Sequence, residues 1–200
     1  MTKKVEFLFD FGSPNAYLAA KALPAIESRT GATFEYVPVL LGGIFKATGN
    51  VSPAISEAGI KNKPEYGRLE IERFIKKHNL TKFKFNTHFP VNTLQIMRGA
   101  IAAQMDGMLP AYFDVVASVM WEQSLKMDDP DVIKAALDAG GIDGARLLAR
   151  IQDGDVKAKL IANTEDAVAR GAFGIPTFFV DGDIYFGKDR LREVEEAIAG

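Results

Sequence analysis

Two hundred residues, 48% of them hydrophobic, can bury a sizeable core and suit one elaborated domain better than two independent ones. The formal charge of -2, with no basic block beyond Lys76-Lys77, argues against a nucleic-acid partner; no apolar window approaches the ~20 residues that span a bilayer and the start lacks a secretory signal, so a soluble, cytoplasmic protein is expected. The chain has no cysteine, which excludes disulfides, thiolate metal sites and a cysteine nucleophile, so any sulfur chemistry must use a borrowed thiol.

The run Val5-Glu6-Phe7-Leu8-Phe9-Asp10-Phe11 is apolar at both parities for much of its length and reads as a central strand buried on both faces. Gly12 breaks it, Ser13 suits an N-cap and Pro14 the first helical position. Tyr17, Leu18, Ala22, Leu23 and Ile26 then recur at helical spacing, predicting a helix from Pro14 to about Arg29 that closes at Thr30-Gly31. Thr33 to Val39 reads as a second strand. Strand, helix, strand implies a right-handed parallel βαβ unit.

After Leu40 helical patterning dominates. Helices are expected near 65–78, 93–107, 110–126, 131–139, 143–152 and 155–171, with Pro64, Pro110 and Pro130 at or near starts and Gly140-Gly141 at a stop. Thr81 to Phe89 is a loop candidate. Pro176 to Val180, Asp181-Gly182, then Asp183 to Phe186 is a hairpin on an Asp-Gly turn, and Gly187-Lys188-Asp189 leads into a last helix, Arg190 to Ala199. The order βαβ, helical block, ββα is an α/β thioredoxin-like fold with a large all-helical domain inserted in its middle. The expected division is 1–41 with 173–200 for the thioredoxin-like part and 42–172 for the helical insertion.

Three segments, FDFGSPNAYLA, LGGIFKATGN and GAFGIPTFFVDGDIYFGKDRL, together resemble the 2-hydroxychromene-2-carboxylate isomerases and the related kappa-class glutathione transferases, in the disulfide-oxidoreductase branch of the thioredoxin superfamily. The resemblance covers essentially the whole chain, in the right order. It implies a glutathione-dependent cis-trans isomerase of aromatic-compound breakdown, working as a homodimer on a small aromatic carboxylate.

Ser13-Pro14 alone is an ordinary cap and an ordinary first-turn proline. In a thioredoxin-like domain, however, this loop stands at the carboxyl end of the strands, where a redox member carries a cysteine pair. Ser13-Pro14-Asn15-Ala16 offers none, so the chain cannot exchange disulfides itself. A helix N-terminus favours an anion and lowers a nearby thiol's pKa. A thiol with a pKa of about 8.5 is a few per cent ionised at neutral pH, and a depression of ~2 units makes it mostly thiolate. Ser13 is therefore the candidate catalytic residue, donating to the sulfur of a bound glutathione. It is not the expected covalent nucleophile, because His78 and His88 both lie in the helical block.

The resemblance implies further glutathione contacts. Ile175 would pair through its backbone with the cysteinyl unit, ahead of a cis Pro176. The helix start at Phe186, Gly187, Lys188 and Asp189 would bind the γ-glutamyl group, Asp189 pairing with its amine. Lys188 departs from the small polar residue of relatives, so its side chain either reaches the carboxylate or faces solvent. Asn50 is a further cofactor candidate, and Lys46, His88 and Phe89 are substrate candidates, although Lys46 to Asn50 also reads as a surface Gly-Asn turn. The Phe113, Val116, Met120 and Trp121 stripe reads as packing, and Arg98, which on a helix could meet an acidic substrate, reads better as a solvated or structural arginine. No metal site is expected. The rival functions are a kappa-like transferase that conjugates electrophiles and a redox-inactive thioredoxin-like binding module. Net glutathione consumption marks the first, and indifference to glutathione the second.

Overall fold

A computed structural model of the chain describes residues 3–200. The opening apolar run lacks alternation because both of its faces are covered: β1 (Val5–Phe9) is buried at every position. It pairs in parallel with β2 (Phe34–Pro38) and antiparallel with β3 (Thr177–Val180), to which β4 (Asp183–Phe186) adds antiparallel, giving the order β2-β1-β3-β4. Phe7 stands opposite both Tyr36 and Phe178, with ring centroids 5.0 and 5.2 Å away, so aromatic pairs fix the register of the central strands.

α1 (Pro14–Thr30) starts as its sequence demands, with Ser13 as N-cap and Pro14 at the first position. It stops at Gly31, whose φ of 71° lets its N–H reach back to the Glu27 carbonyl. After β2 come α2 (Leu41–Thr48), α3 (Pro53–Ser56), α4 (Lys63–His78), α5 (Leu94–Met105), α6 (Leu109–Trp121), α7 (Pro130–Ala139), α8 (Gly144–Arg150) and α9 (Gly154–Ala169). A 3-10 turn at Lys188–Arg190 leads from β4 into α10 (Leu191–Ala199), which packs on α1, while α5 and α9 pack on β2. One apolar cluster runs through both sets of elements, from Phe7 and Leu23 to Trp121 and Val194. The thioredoxin-like α/β fold with a helical insertion is what the pattern led one to expect.

Among the boundaries that differ, three have a clear physical reason. β1 ends at Phe9 rather than Phe11, because the Asp10 carboxylate turns back to accept from the Gly12 N–H at 2.8 Å. Lys46 to Thr48 form the last turn of α2 rather than a loop, and Gly49 at φ 68° is its left-handed cap. The helix expected to reach residue 126 stops at Trp121. The Asn86 side chain takes the Met120 and Leu125 carbonyls, both at 2.9 Å, and Ser124 adopts φ 62°, so the chain leaves the helical path there.

Candidate active site

The site grows from the turn after β1. Asp10 is fully buried: one carboxylate oxygen accepts from Gly12 N–H and the other from Leu41 N–H, at 2.8 and 2.7 Å. Burial pushes its pKa up, and the Gly12, Leu41 and Thr93 hydrogen bonds oppose that rise. Asp10 thereby ties the Ser13 loop to the first N–H of α2. Trp121 holds the same loop from α6 by donating its indole N–H to the Phe11 carbonyl at 2.9 Å.

Ser13 is buried, and its Oγ makes two contacts. It accepts from Ala16 N–H at 3.2 Å, as an N-cap does, and donates to the Ile175 carbonyl at 3.0 Å. The cap and the strand that begins after Ile175 therefore meet at one hydroxyl. The Ile175-Pro176 peptide is cis, as the resemblance implies, and so is Phe89-Pro90. Pro176 accepts from Gly187 N–H at 2.9 Å, which brings the Gly187-Lys188-Asp189 turn to the same corner. Ser13, Ile175, Pro176 and Gly187 thus form one hydrogen-bonded unit.

The outer positions are less uniform. Lys188 is buried rather than facing solvent: its ammonium lies 2.6 Å from Asp189 and 5.2 Å from the centre of the Phe74 ring of α4. Asp189 itself is exposed. Phe186 is half exposed and packs on Phe173, with ring centroids 4.5 Å apart. Asn50 donates its side-chain amide to the Phe173 carbonyl at 2.8 Å, joining the end of α2 to that aromatic pair. Lys46 is exposed on α2. His88 is exposed, and Phe89 packs half-buried among Phe85 and Trp121, near the Phe11 anchor. Two site features escaped the sequence reading: Asp10, signalled by an acid inside an apolar run, and Asn15, whose buried amide oxygen has no partner.

The orphaned Asn15 oxygen, the Ser13 hydroxyl and the start of α1 fit a peptide-like thiol. An amide oxygen is an acceptor suited to a peptide N–H, a hydroxyl is a donor suited to an anion, and a helix terminus favours negative charge; here Ser13 Oγ donates to the Ile175 carbonyl and the Asn15 oxygen is unpaired. Among the described residues no cluster is suited to a metal ion, and no helix is long and apolar enough to cross a membrane.

Fold and site together define a thioredoxin-type α/β protein in which a serine stands at the turn between β1 and α1. The chain belongs to the family described as DSBA-like thioredoxin domain, whose model matches residues 4–199. It is 28% identical to a 2-hydroxychromene-2-carboxylate isomerase of Sphingobium xenophagum, over 98% of this chain and 97% of that protein. It is 30% identical to glutathione S-transferase kappa 1 of Rattus norvegicus, over 94% and 87%. A solved 2-hydroxychromene-2-carboxylate isomerase superposes with a TM-score of 0.82 at 26% identity, covering 97% of this chain and 93% of that one. The DsbA of Pseudomonas aeruginosa, at 15% identity and a TM-score of 0.59 over 98% and 81%, shares the fold alone.

Proposed function

We propose that the chain is a glutathione-dependent cis-trans isomerase of the 2-hydroxychromene-2-carboxylate type, acting on aromatic carboxylates in the cytoplasm as a homodimer. The observation that carries this reading is the Ser13 hydroxyl, buried at the start of α1 and turned toward Ile175 in a chain without cysteine. The relatives named as isomerases, matched end to end, support the reaction class. The exposed Val51, Ile55, Ile60, Tyr66 and Leu69 support a partner surface around α3 and α4.

Bound glutathione supplies a thiol that adds reversibly to the conjugated substrate, so that a double bond rotates as a single one. The chain's own part is to hold that thiol ionised and to exclude water. Ser13 keeps one proton on Oγ, lent to the Ile175 carbonyl; rotation about its Cβ–Oγ bond re-aims that O–H toward an anion beside the α1 terminus while the oxygen still caps Ala16. Pro14 has no N–H and the Ala16 N–H is taken by the Ser13 hydroxyl, so Asn15 carries the free backbone N–H at the start of α1, ahead of the aligned peptides of the helix. Their fixed dipoles favour the anion without reorganisation. Ile175 offers backbone for strand-like pairing with a peptide, and Asp189, exposed at the start of the last helical segment, offers a carboxylate to its amine.

The test combines binding and turnover. Calorimetric titration of glutathione should give saturable binding to wild type, and the isomerisation of 2-hydroxychromene-2-carboxylate should require glutathione without consuming it. Ser13→Ala should lower kcat by about 10²-fold or more while leaving most of the glutathione affinity. A conjugate accumulating in proportion to turnover would replace the isomerase with a transferase. Absence of glutathione binding at millimolar concentration would remove both.

A further inference from the structure

Between α2, α5 and α9 lies a groove of about 440 Å³, a size typical of small-molecule sites. Leu40, Ala47, Leu94, Leu160 and Val168 give it apolar walls. Arg98 from α5 and Lys157 from α9 stand in it with one acid, Glu165. Arg98 is half-buried. Every other arginine of the chain has a carboxylate partner: Arg29, Arg68, Arg73, Arg146, Arg150, Arg170, Arg190 and Arg192. Among the described residues neither Arg98 nor Lys157 takes part in an ion pair.

We propose that this groove binds a flat, apolar carboxylate and that Arg98 holds its carboxyl group. A guanidinium presents a planar fork that matches a carboxylate with two parallel hydrogen bonds, and it strengthens as water leaves the site. The apolar walls bury the ring, which a free phosphate or an extended polar chain would leave unmatched. Lys157 offsets the charge of Glu165, so the lining as a whole carries one positive charge and selects an anion over a cation or a neutral ring. The groove is joined to the Ser13 loop through the backbone at Leu40 and Leu41. Leu40 lines it, and the next residue, Leu41, donates to the Asp10 carboxylate that holds the Ser13 loop. The proposal stands on the groove and its unpaired arginine, not on glutathione binding.

Titration calorimetry of the full chain with 2-naphthoate and with its neutral isostere, 2-naphthamide, tests it. Wild type should bind the carboxylate about tenfold more tightly than the amide or better, the range of a charge-assisted hydrogen bond. Arg98→Gln should erase that preference, and Arg98→Lys should keep part of it. Ile161→Asp, at a rim position 57% exposed, adds a negative charge without touching the core and should weaken the carboxylate alone. Circular dichroism melts establish that each variant is folded. Equal affinity of wild type for the two probes, or unchanged naphthoate binding by Arg98→Gln, overturns the assignment. A Ser13→Ala chain, and a wild type that fails to bind glutathione, should still bind naphthoate, so the two proposals fail separately.

Discussion

Two buried charges flank the Ser13 corner, and they are held in opposite ways. Asp10 has no exposure at all and is held chiefly by backbone, the N–H groups of Gly12 and Leu41, with the Thr93 side chain beside them. Lys188 has 4% exposure and is satisfied by one side chain, Asp189, whose own side chain is 67% exposed, together with the face of Phe74. The backbone partners of Asp10 cannot leave without moving the loop and α2 together. The partner of Lys188 can turn to water or to a ligand without moving the backbone. A buried charge tied to backbone is scaffold, whereas one tied to an exposed side chain is an exchangeable pair.

The largest expected effect follows from breaking the scaffold. Asp10→Ala leaves two buried N–H groups without partners, and about 3 kcal/mol of stability should be lost, near one unmade hydrogen bond's cost for each with partial relief by water. For a chain of this length that lowers the melting temperature by about 6–12 °C. A melt within about 1 °C of wild type would show that the tie between loop and α2 carries no stability. The pH dependence has a definite sign. Burial raises the folded pKa of Asp10 above its unfolded value. In the window between the two, the native state binds more protons than the unfolded one, so stability is fully present below about 3.9 and declines as pH rises through the folded pKa. Asp10→Asn has no such titration. The melting difference between wild type and Asp10→Asn should therefore shift in favour of wild type on acidification toward pH 4. A constant difference across that range would mean that Asp10 keeps one protonation state.

This division also separates what the sequence made legible from what it hid. The β1–α1 turn was readable because its signals are local: Gly12, the Ser13 cap and Pro14 within three residues. The hairpin and the α/β order were readable for the same reason. α2 was not, since it opens on Leu40 with no side-chain cap and carries Gly42-Gly43 in its first turn. Its start is completed by Asp10, which takes Leu41 N–H from 31 residues away, and by Thr164, which takes Leu40 N–H from 124 away. A helix capped by tertiary partners has no local signature. Lys188 was hidden similarly, because a lysine beside an aspartate at a helix start reads as surface until α4 brings Phe74 over it. Ser13 and Ile175 were each named from the resemblance, but only the fold joins them, by a bond spanning 162 residues.

Ser13→Ala should have an intermediate effect on stability, distinct from its proposed effect on turnover. It removes the α1 cap and one partner of the Ile175 carbonyl, and about 1–2 kcal/mol should go with them. Ser13→Thr keeps both bonds if its methyl group fits, so its melt should lie between the two. A Ser13→Ala chain as stable as wild type would mean that water replaces the hydroxyl at both partners.

The smallest stability effect, and the sharpest test of an exchangeable pair, belongs to Lys188→Met. The substitution keeps most of the side-chain volume against Phe74 and removes a charge whose partner then returns to water, so stability should change by less than about 1 kcal/mol in either direction. Its effect on ligand affinity separates two roles. On the proposed glutathione reading, Asp189 is the exposed member of the pair and the one a ligand amine reaches first, yet Lys188 occupies it from 2.6 Å. Removing the ammonium frees that carboxylate, and glutathione affinity should rise by a factor of up to about five, the scale of an exposed ion pair. If the ammonium itself held the γ-glutamyl carboxylate, the same substitution would lower affinity instead. Asp189→Asn supplies the mirror measurement. It leaves Lys188 buried without its counter-ion, so it should cost more stability than Lys188→Met and should also weaken glutathione binding. An Asp189→Asn chain as stable as Lys188→Met would show that the Phe74 ring and local water suffice for the ammonium. The two charges flanking Ser13 would then differ less than their partners suggest.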